Sequence, residues 1–238
     1  MSRGIQNSGK LHHMSYATEA HVTNRSLSPA EDPVTAVVLA AGAGKRMGRP
    51  KLLLAYRGKP LLSWTLELVE RLPLSRRLIV LGAQAPEILE EIFGLRPPAL
   101  PAHDASRVTR HGFLWDVLIN PGWEEGMGSS LRLAAERVEG GMLVFLGDMP
   151  EVPRGAALEV LRRAGDQPVA PSFQGRRGFP IYLPRELRPQ LLALGGDIGA
   201  RELVRESCQL IPWPDPGVVL DVDREEDLPC ARPVRRGS

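Results

Sequence analysis

The sequence predicts an α/β protein in which one domain is built on a mostly parallel, doubly wound sheet in a three-layer α/β/α arrangement. Short apolar runs alternate along the chain with segments of helical periodicity, the pattern of a parallel sheet covered on both faces. The first run, residues 36–39, is continuously apolar, as in a strand buried on both faces. A glycine-rich turn and several basic residues follow it directly. Together these features indicate a strand that leads into a phosphate-binding loop.

The predicted phosphate loop begins with small residues at 40–44, which allow backbone N–H groups to approach an anion closely. Lys45, Arg46, Arg49 and Lys51 follow and add positive charge. Two better-known glycine loops do not fit. A dinucleotide fingerprint needs an acidic residue after the next strand, and a Walker loop needs Ser or Thr after its lysine. Residues 80–84 are Val-Leu-Gly-Ala-Gln and Arg46 follows Lys45, so we expect a different polyphosphate loop.

The elements after the loop follow from periodicity. Helical spacing of apolar residues predicts helices at 61–72 and 86–93. Apolar runs predict strands at 77–81, 115–119 and 141–149. Between the second helix and the second of these strands, prolines and polar residues predict an irregular connection at residues 94–111.

The junction at residues 119–131 has two interpretations. Ser129 or Ser130 can begin a helix as its cap, by accepting hydrogen bonds from first-turn N–H groups. Alternatively, the same free N–H groups and the small Gly126 and Gly128 admit a base or a ribose beside the sheet. The residues of this segment alone favour the cap.

Two aspartates end apolar runs and are candidate metal ligands. Asp148 ends the predicted strand at 141–149, and ligands of doubly wound sheets bind beyond the carboxyl ends of strands. Asp223 follows the apolar run 218–220, which we also expect to be a strand. A lone aspartate at such a place is usually a turn residue. An enzyme that acts on a nucleoside triphosphate needs magnesium, however, and magnesium takes one or two carboxylates plus phosphate oxygens. We therefore predict that Asp148 and Asp223 form a metal pair.

The segment around Asp197 also has two interpretations. Asp197 and Arg201 are four residues apart on a predicted helix, so they can form a local ion pair worth about 0.3–0.5 kcal/mol. The neighbouring glycines Gly195, Gly196 and Gly199 also permit close approach of a ligand, and Arg201 can then hold a phosphate in a bidentate contact. The residues favour neither interpretation.

Composition excludes several classes of protein. Basic and acidic residues, 30 and 28 in number, are interspersed, which does not support nucleic-acid binding. No apolar run is long enough to span a bilayer, and the two cysteines form no framework, so a reducing cytoplasm is expected. Residues 1–33 lack periodicity and are predicted to be a flexible extension, 34–230 the domain, and 231–238 a flexible tail. No histidine ends a predicted core strand, so a histidine base is not expected.

Several segments together resemble the MobA-like nucleotidyltransferase family. The matching segments are LAAGxGxRMGxPK at 39–51, NPxWxxGMxSSL at 120–131, LGDMP at 146–150, GGDIGARELV at 195–204 and DVDREEDL at 221–228. The double alanine and the Pro-Lys ending are most similar to the molybdenum cofactor cytidylyltransferases. The guanylyltransferase branch more often has a second glycine and an Asp-Lys ending. One segment departs from the family pattern, since QGRRGFPIYL has Phe179 where a histidine is common.

The resemblance implies a Rossmann-like nucleotidyltransferase fold and transfer of CMP from CTP to the terminal phosphate of the molybdenum-pterin cofactor, with Mg²⁺ or Mn²⁺. The product would pass to a molybdenum hydroxylase or its maturation chaperone. The resemblance favours the nucleotide interpretation of 119–131 over the cap. The predicted site residues are Arg46, Lys51 and Asp148 for catalysis; Leu39, Ala40, Ala41, Gly42, Gly44, Lys45, Asn120, Gly126 and Ser129 for the nucleotide; Gly178, Asp197 and Arg201 for the second substrate; and Asp148 and Asp223 for metal. Alternatives are a guanylyltransferase, an enzyme acting on another small phosphate, and a non-catalytic carrier of the cofactor.

Overall fold

The computed structural model describes residues 33–42, 44, 50–95, 106–194 and 207–223. Within these residues, a nine-stranded sheet, a two-stranded hairpin and five α-helices form a three-layer α/β/α fold, as predicted. Residues 1–32 of the expected extension and the whole of the expected tail lie outside the described residues. No helix in the described part of the chain is both long and apolar enough to span a membrane.

The elements have the following bounds. The strands are β1 Thr35–Ala40, β2 Ala55–Tyr56, β3 Lys59–Pro60, β4 Arg76–Leu81, β5 Ser106–Arg110, β6 Phe113–Ile119, β7 Met142–Leu146, β8 Val169–Phe173, β9 Arg176–Arg177, β10 Ile181–Leu183 and β11 Gln209–Pro212. The helices are α1 Leu61–Glu70, α2 Ala85–Phe93, α3 Met127–Arg137, α4 Arg154–Arg162 and α5 Arg188–Leu192.

The large sheet is mixed but mostly parallel. Its order is β11-β8-β10-β7-β1-β4-β6-β5, with β9 paired to β8 and the hairpin β2-β3 separate. The central strands β7, β1, β4 and β6 are mutually parallel, and β8 and β11 run in the same direction. Only β5, β9 and β10 among these strands run the opposite way. The carboxyl ends of the four central strands therefore lie along one edge of the sheet, which is where the predicted site residues are concentrated.

Apolar layers cover both faces of the sheet. Every residue of β1 is buried although successive side chains of a strand point to opposite faces, so both faces of β1 must be covered. Val38 packs with residues of α1, α2 and α4 on one face. Val37 packs with residues of α3 and α5 on the other. The continuous apolar run of β1 thus has the cause proposed from sequence, since both of its faces are covered by helices.

Part of the predicted irregular connection at 94–111 is a strand. Residues 106–110 form β5, an edge strand antiparallel to β6. Its polar sequence concealed this assignment, because two of its five residues are arginines. Arg110 is nevertheless buried, since its guanidinium donates a hydrogen bond of 2.6 Å to the buried carboxylate of Glu70. An ion pair here takes the place of an apolar side chain on the inward face of the strand.

Two predicted element boundaries and one predicted strand near the site are also wrong. Helix α3 begins at Met127 rather than at Ser129 or Ser130, and Gly126 precedes it with a φ of 104°. Strand β7 ends at Leu146, so Asp148 lies in the following turn. The apolar residues before Asp223 form no strand but a short 3-10 turn, Pro216–Val218. That turn is held by Asp215, whose side chain accepts a hydrogen bond from the Gly217 N–H.

Candidate active site

The phosphate loop leaves the sheet at the end of β1. Ala41 is buried and Gly42 is exposed. Gly44 has a φ of +56°, and a Cβ atom at this position would lie 3.0 Å from Gln84 Nε2 and 3.1 Å from Lys51 Cβ. Glycine is therefore needed here both for its backbone conformation and for its close approach to Lys51. The predicted loop cations Lys45 and Arg46 lie outside the described residues.

Lys51 joins this loop to two carboxylates from distant parts of the chain. Its ammonium lies 2.9 Å from Asp148 Oδ2 and 2.9 Å from Asp223 Oδ1. The Lys51 side chain is 13% exposed, whereas that of Asp223 is 55% exposed. Burial lowers the pKa of Lys51, but the charges and hydrogen bonds of Asp148 and then Asp223 outweigh that effect, so the pKa is raised above its ordinary value. Lys51 is therefore a charged ammonium between two aspartates.

Backbone hydrogen bonds hold the two aspartates near the loop. The Gly147 N–H donates to the Leu39 carbonyl at 2.9 Å, which ties the turn before Asp148 to the end of β1. The Val222 N–H donates to the Asp148 carbonyl at 3.0 Å, which ties the closing segment to that turn. Asp223 thus reaches the site through a loop-to-loop contact, although the strand expected before it does not form.

Two glycines that sequence reasoning missed bring these segments together. A Cβ atom on Gly82 would collide with the Ala41 carbonyl and would lie 2.8 Å from Trp123 Cβ. A Cβ atom on Gly217 would collide with the Glu151 carbonyl. Gly82 therefore lets the end of β4 contact the phosphate loop, and Gly217 lets the closing segment lie beside the turn that carries Asp148. The sequence signal at Gly82 was its position directly after a predicted strand.

Asn120 organises the second predicted nucleotide segment. It is 4% exposed, and its Nδ2 donates to Ser129 Oγ at 2.8 Å and to Ser130 Oγ at 3.0 Å. Its Oδ1 accepts a hydrogen bond from the Gly122 N–H at 2.9 Å. Ser129 Oγ in turn lies within hydrogen-bonding distance of the carbonyls of Gly122 and Gly126. The side chains of Asn120 and Ser129 therefore fix the shape of this segment, and Ser129 makes no cap hydrogen bond.

A cleft of about 310 Å³ lies beside the carboxylates. Its walls are mostly apolar, and Gly178, Phe179 and Asp221 contribute to its lining together with Arg176 and Arg177. A Cβ atom on Gly178 would collide with the Val218 carbonyl, so glycine is needed for close backbone packing. Burial, with smaller contributions from the charges of Asp223 and Asp148, raises the pKa of Asp221. The cleft can admit an apolar or flat group whose anionic end meets the two arginines.

The structure brings some predicted residues together and leaves others apart. Lys51, Asp148 and Asp223 are in direct contact, and Gly44 lies against Lys51. Leu39 and Ala40 are buried at the end of β1, so only backbone atoms of these residues can face a ligand. The predicted second-substrate residues Asp197 and Arg201 lie outside the described residues.

The two carboxylates have the chemistry of a divalent metal site. Asp148 and Asp223 both direct carboxylate oxygen atoms towards the Lys51 ammonium. Hard oxygen donors of this kind also suit Mg²⁺ and Mn²⁺. Within the described part of the chain, no group of three or more His, Cys, Asp or Glu side chains is arranged to hold a metal ion. The pair therefore fits an ion that takes its remaining ligands from phosphate oxygens and water.

The chain is similar to one known protein over most of its length and to another over about a quarter of its length. The nicotine blue oxidoreductase of Paenarthrobacter nicotinovorans is 33% identical over 210 residues, which cover 82% of this chain and 94% of that protein. The 2-C-methyl-D-erythritol 4-phosphate cytidylyltransferase of Microcystis aeruginosa is 49% identical over 65 residues, covering 26% of this chain and 27% of that protein.

The chain also resembles solved structures and matches a protein family. The crystal structure of Rv0371c from Mycobacterium tuberculosis H37Rv is 27% identical, with a TM-score of 0.66 over 82% of this chain and 95% of that one. A manganese complex of the same mycobacterial protein is 25% identical, with a TM-score of 0.63 over 82% of this chain and 95% of that one. Residues 36–210 match the MobA-like NTP transferase domain. The chain therefore belongs to the MobA-like NTP transferase family and is a nucleotidyltransferase.

Proposed function

We propose that this protein transfers CMP from CTP to the terminal phosphate of the molybdenum-pterin cofactor and releases pyrophosphate. The observation that carries the proposal is the Lys51 ammonium, 2.9 Å from a carboxylate oxygen of both Asp148 and Asp223 at the end of the phosphate loop. A cation and a carboxylate pair at this edge of a parallel sheet suit a triphosphate and its metal ion.

In the proposed reaction, an oxygen of the acceptor phosphate attacks the α-phosphorus of CTP in line. A new P–O bond forms, the bond from the α-phosphorus to the bridging oxygen breaks, and pyrophosphate leaves with that electron pair. The acceptor needs no general base, because a phosphate monoester is already ionised near neutral pH. The protein must instead bring two anions together and neutralise the charge that develops.

Each group of residues in the site has a separate role in this reaction. The backbone N–H groups of the phosphate loop hold the phosphates that leave, as glycine-rich turns do elsewhere. Lys51, together with Arg46, neutralises charge near the α-phosphorus. Asp148 and Asp223 would hold the divalent ion, which supplies charge stabilisation at the phosphate oxygens when bound. Lys51 would then exchange its carboxylate partners for phosphate oxygens, since one ammonium and one metal ion cannot occupy the same position.

The acceptor is assigned to the cleft beside Asp221. Its mostly apolar walls suit a flat ring system, and Arg176 and Arg177 suit a terminal phosphate at its rim. Asp197 and Arg201 are proposed to complete the acceptor site. Phe179 lines the cleft where related sequences often carry a histidine, so contact with the acceptor here is by packing rather than by hydrogen bonding.

Two observations support CTP as the donor. The double alanine and the Pro-Lys ending of the loop resemble those of cytidylyltransferases, and one partial relative is named as a cytidylyltransferase. That relative is named for 2-C-methyl-D-erythritol 4-phosphate as its acceptor, so another small phosphate is the second candidate acceptor. The relative named as an oxidoreductase suggests a third chemistry. The phosphate loop lacks the acidic partner of a dinucleotide fingerprint, which disfavours this reading.

Incubation of the protein with molybdenum-pterin cofactor, Mg²⁺ and one nucleoside triphosphate at a time tests the proposal. When CTP is the triphosphate, mass spectrometry should show a CMP group added to the cofactor. Pyrophosphate should form in an amount equal to that of this product. A guanylylated product would move the protein to the other branch of the family. Cytidylylation of 2-C-methyl-D-erythritol 4-phosphate alone would reassign the acceptor. No product with any triphosphate, together with tight cofactor binding, would favour a carrier.

A further inference from the structure

A second cavity, of about 520 Å³, opens at the opposite end of the sheet from Lys51. It is lined in part by Thr35 and Arg76, the first residues of β1 and β4. These two strands lead to the phosphate loop and to Gly82 at their other ends. Because a strand rises about 3.3 Å per residue, the six residues of β1 separate the two sites by roughly 17–20 Å. The cavity is therefore distinct from the candidate active site.

Positive charge exceeds negative charge in the lining of this cavity. Three arginines, Arg76, Arg107 and Arg137, line it together with one carboxylate, Asp116. Asp116 lies 2.9 Å from Arg107 Nε and 3.8 Å from an Arg76 nitrogen, so one carboxylate is shared by two guanidinium groups. The Arg76 and Arg107 side chains are 42% and 67% exposed, which leaves them accessible to a ligand from solvent.

A buried hydroxyl gives an independent indication of a ligand. Thr35 is 2% exposed and lines the same cavity, and its Oγ1 has no hydrogen-bond partner among the described residues. Buried hydroxyl groups in folded proteins normally have a partner, so one without any calls for an explanation. A bound ligand that accepts a hydrogen bond from the Thr35 hydroxyl would explain why this group has no partner within the protein.

A purely structural role explains these arginines less well. Arg137 lies in the last turn of α3, where a cation complements the helix dipole. The contacts of Arg76 and Arg107 with Asp116 link β4, β5 and β6, but exposed ion pairs contribute little to stability. Backbone pairing already joins these three strands. Neither role accounts for the unpartnered Thr35 hydroxyl.

We propose that this cavity binds a small phosphate-bearing molecule, held by Arg76, Arg107 and Arg137, with the Thr35 hydroxyl as a further donor. Guanidinium groups match phosphate oxygens in bidentate geometry. A dianionic phosphate or a diphosphate would balance the excess positive charge of the lining. The volume is within the range of small-molecule sites and exceeds what a bare phosphate needs, so the ligand carries a further group.

Binding of inorganic pyrophosphate to the full-length chain, measured by calorimetry in magnesium-free buffer, tests this proposal. We expect a site that survives in Lys51→Ala and weakens at least tenfold in the double variant Arg76→Gln/Arg107→Gln. Thr35→Val, which keeps the charge and shape of the cavity, should weaken the same site several-fold. The matched control is Arg162→Gln, which removes an exposed arginine that pairs with Glu159 far from this cavity and should leave binding unchanged.

Several outcomes would overturn the proposal. These are no pyrophosphate binding in the wild type, binding lost in Lys51→Ala but kept in the double arginine variant, or equal binding of succinate, which would indicate a site without phosphate preference. If the arginine variant fails to fold by circular dichroism, Thr35→Val decides the question alone, and unchanged affinity contradicts the assignment. Because the readout is binding and not nucleotide transfer, its failure is separate from failure of the proposed reaction.

Discussion

Lys51 donates a hydrogen bond of 2.9 Å to Asp148, which is 97 positions away in the chain. The same ammonium lies 2.9 Å from Asp223, so one lysine joins the phosphate loop, the turn after β7 and the closing segment. An ammonium between two carboxylates occupies the position that a divalent ion would need. If Asp148 and Asp223 hold a metal ion as proposed, the ion and the Lys51 ammonium should compete for these carboxylates in the free protein and act together when a triphosphate is bound.

Replacement of Lys51 by Ala should lower nucleotide transfer by about 10²–10³-fold, since loss of one preorganised electrostatic contact has effects of that size. The rate of pyrophosphate release at saturating substrates measures it. Stability should change little in the presence of Mg²⁺, because the ion can neutralise the carboxylates. The matched control is Lys59→Ala, which removes an ion pair with Glu67 outside the site and should keep full activity. Unfolding of Lys51→Ala under conditions where the wild type is folded would make Lys51 a structural residue.

Metal affinity should respond to Lys51 in the opposite sense from activity. Without nucleotide, Lys51→Met should bind Mn²⁺ more tightly than the wild type, because the ion no longer has to displace the ammonium from Asp148 and Asp223. Electron paramagnetic resonance of free Mn²⁺ gives the affinity of each form. Equal or weaker binding by the variant would show that the ion does not use the position that Lys51 occupies.

Gly82 should matter for stability, although it contacts no ligand in the proposed mechanism. In Gly82→Ala, the new methyl group would collide with the Ala41 carbonyl and crowd Trp123, so a loss of about 1–3 kcal/mol in the free energy of unfolding is expected. Gly42→Ala is the control, because a Cβ atom there has nothing within 4 Å. Urea titration of both variants compares them. Equal stabilities would mean that the contact between β4 and the loop relaxes without cost.

Asn120 should behave first as a structural residue of the second segment. Asn120→Ala removes the donor to Ser129 and Ser130 and the acceptor for the Gly122 N–H, which should destabilise the protein by about 1–3 kcal/mol. Ser130→Ala removes one acceptor and should have a smaller effect. Thermal unfolding gives the order of the variants. A stable Asn120→Ala protein with a raised KM for CTP alone would instead favour direct contact of Asn120 with the nucleotide.

The sequence predicted the central fold well, because the central strands β1, β4 and β7 are mainly apolar and alternate with helices. It missed β5, in which Arg110, paired with Glu70, fills one of the inward positions in place of an apolar residue. It also assigned a strand before Asp223, where a proline and a glycine form a 3-10 turn instead. Periodicity reports burial of apolar side chains, so elements held by ion pairs or by turn hydrogen bonds escape it.

The candidate site was predictable where chemistry depends on residue type. Lys51, Asp148 and Asp223 were selected by charge and position, and the structure brings them into contact. The roles of Gly82 and Gly217 depend on backbone atoms far along the chain, which no local pattern contains. The same holds for Asn120, whose predicted contact with the nucleotide competes with hydrogen bonds inside its own segment.

A double-mutant cycle on metal-dependent pyrophosphate release tests whether Asp148 and Asp223 hold one metal ion together. Asp148→Asn and Asp223→Asn should each lower the rate at limiting Mg²⁺, and added Mg²⁺ or Mn²⁺ should restore part of it. Because residues that act as a unit are not additive, the double variant should be little slower than the slower single variant. Strictly additive losses, or an Asp223→Asn enzyme with unchanged metal dependence, would contradict the shared site and leave Asp148 as the only carboxylate ligand of the pair.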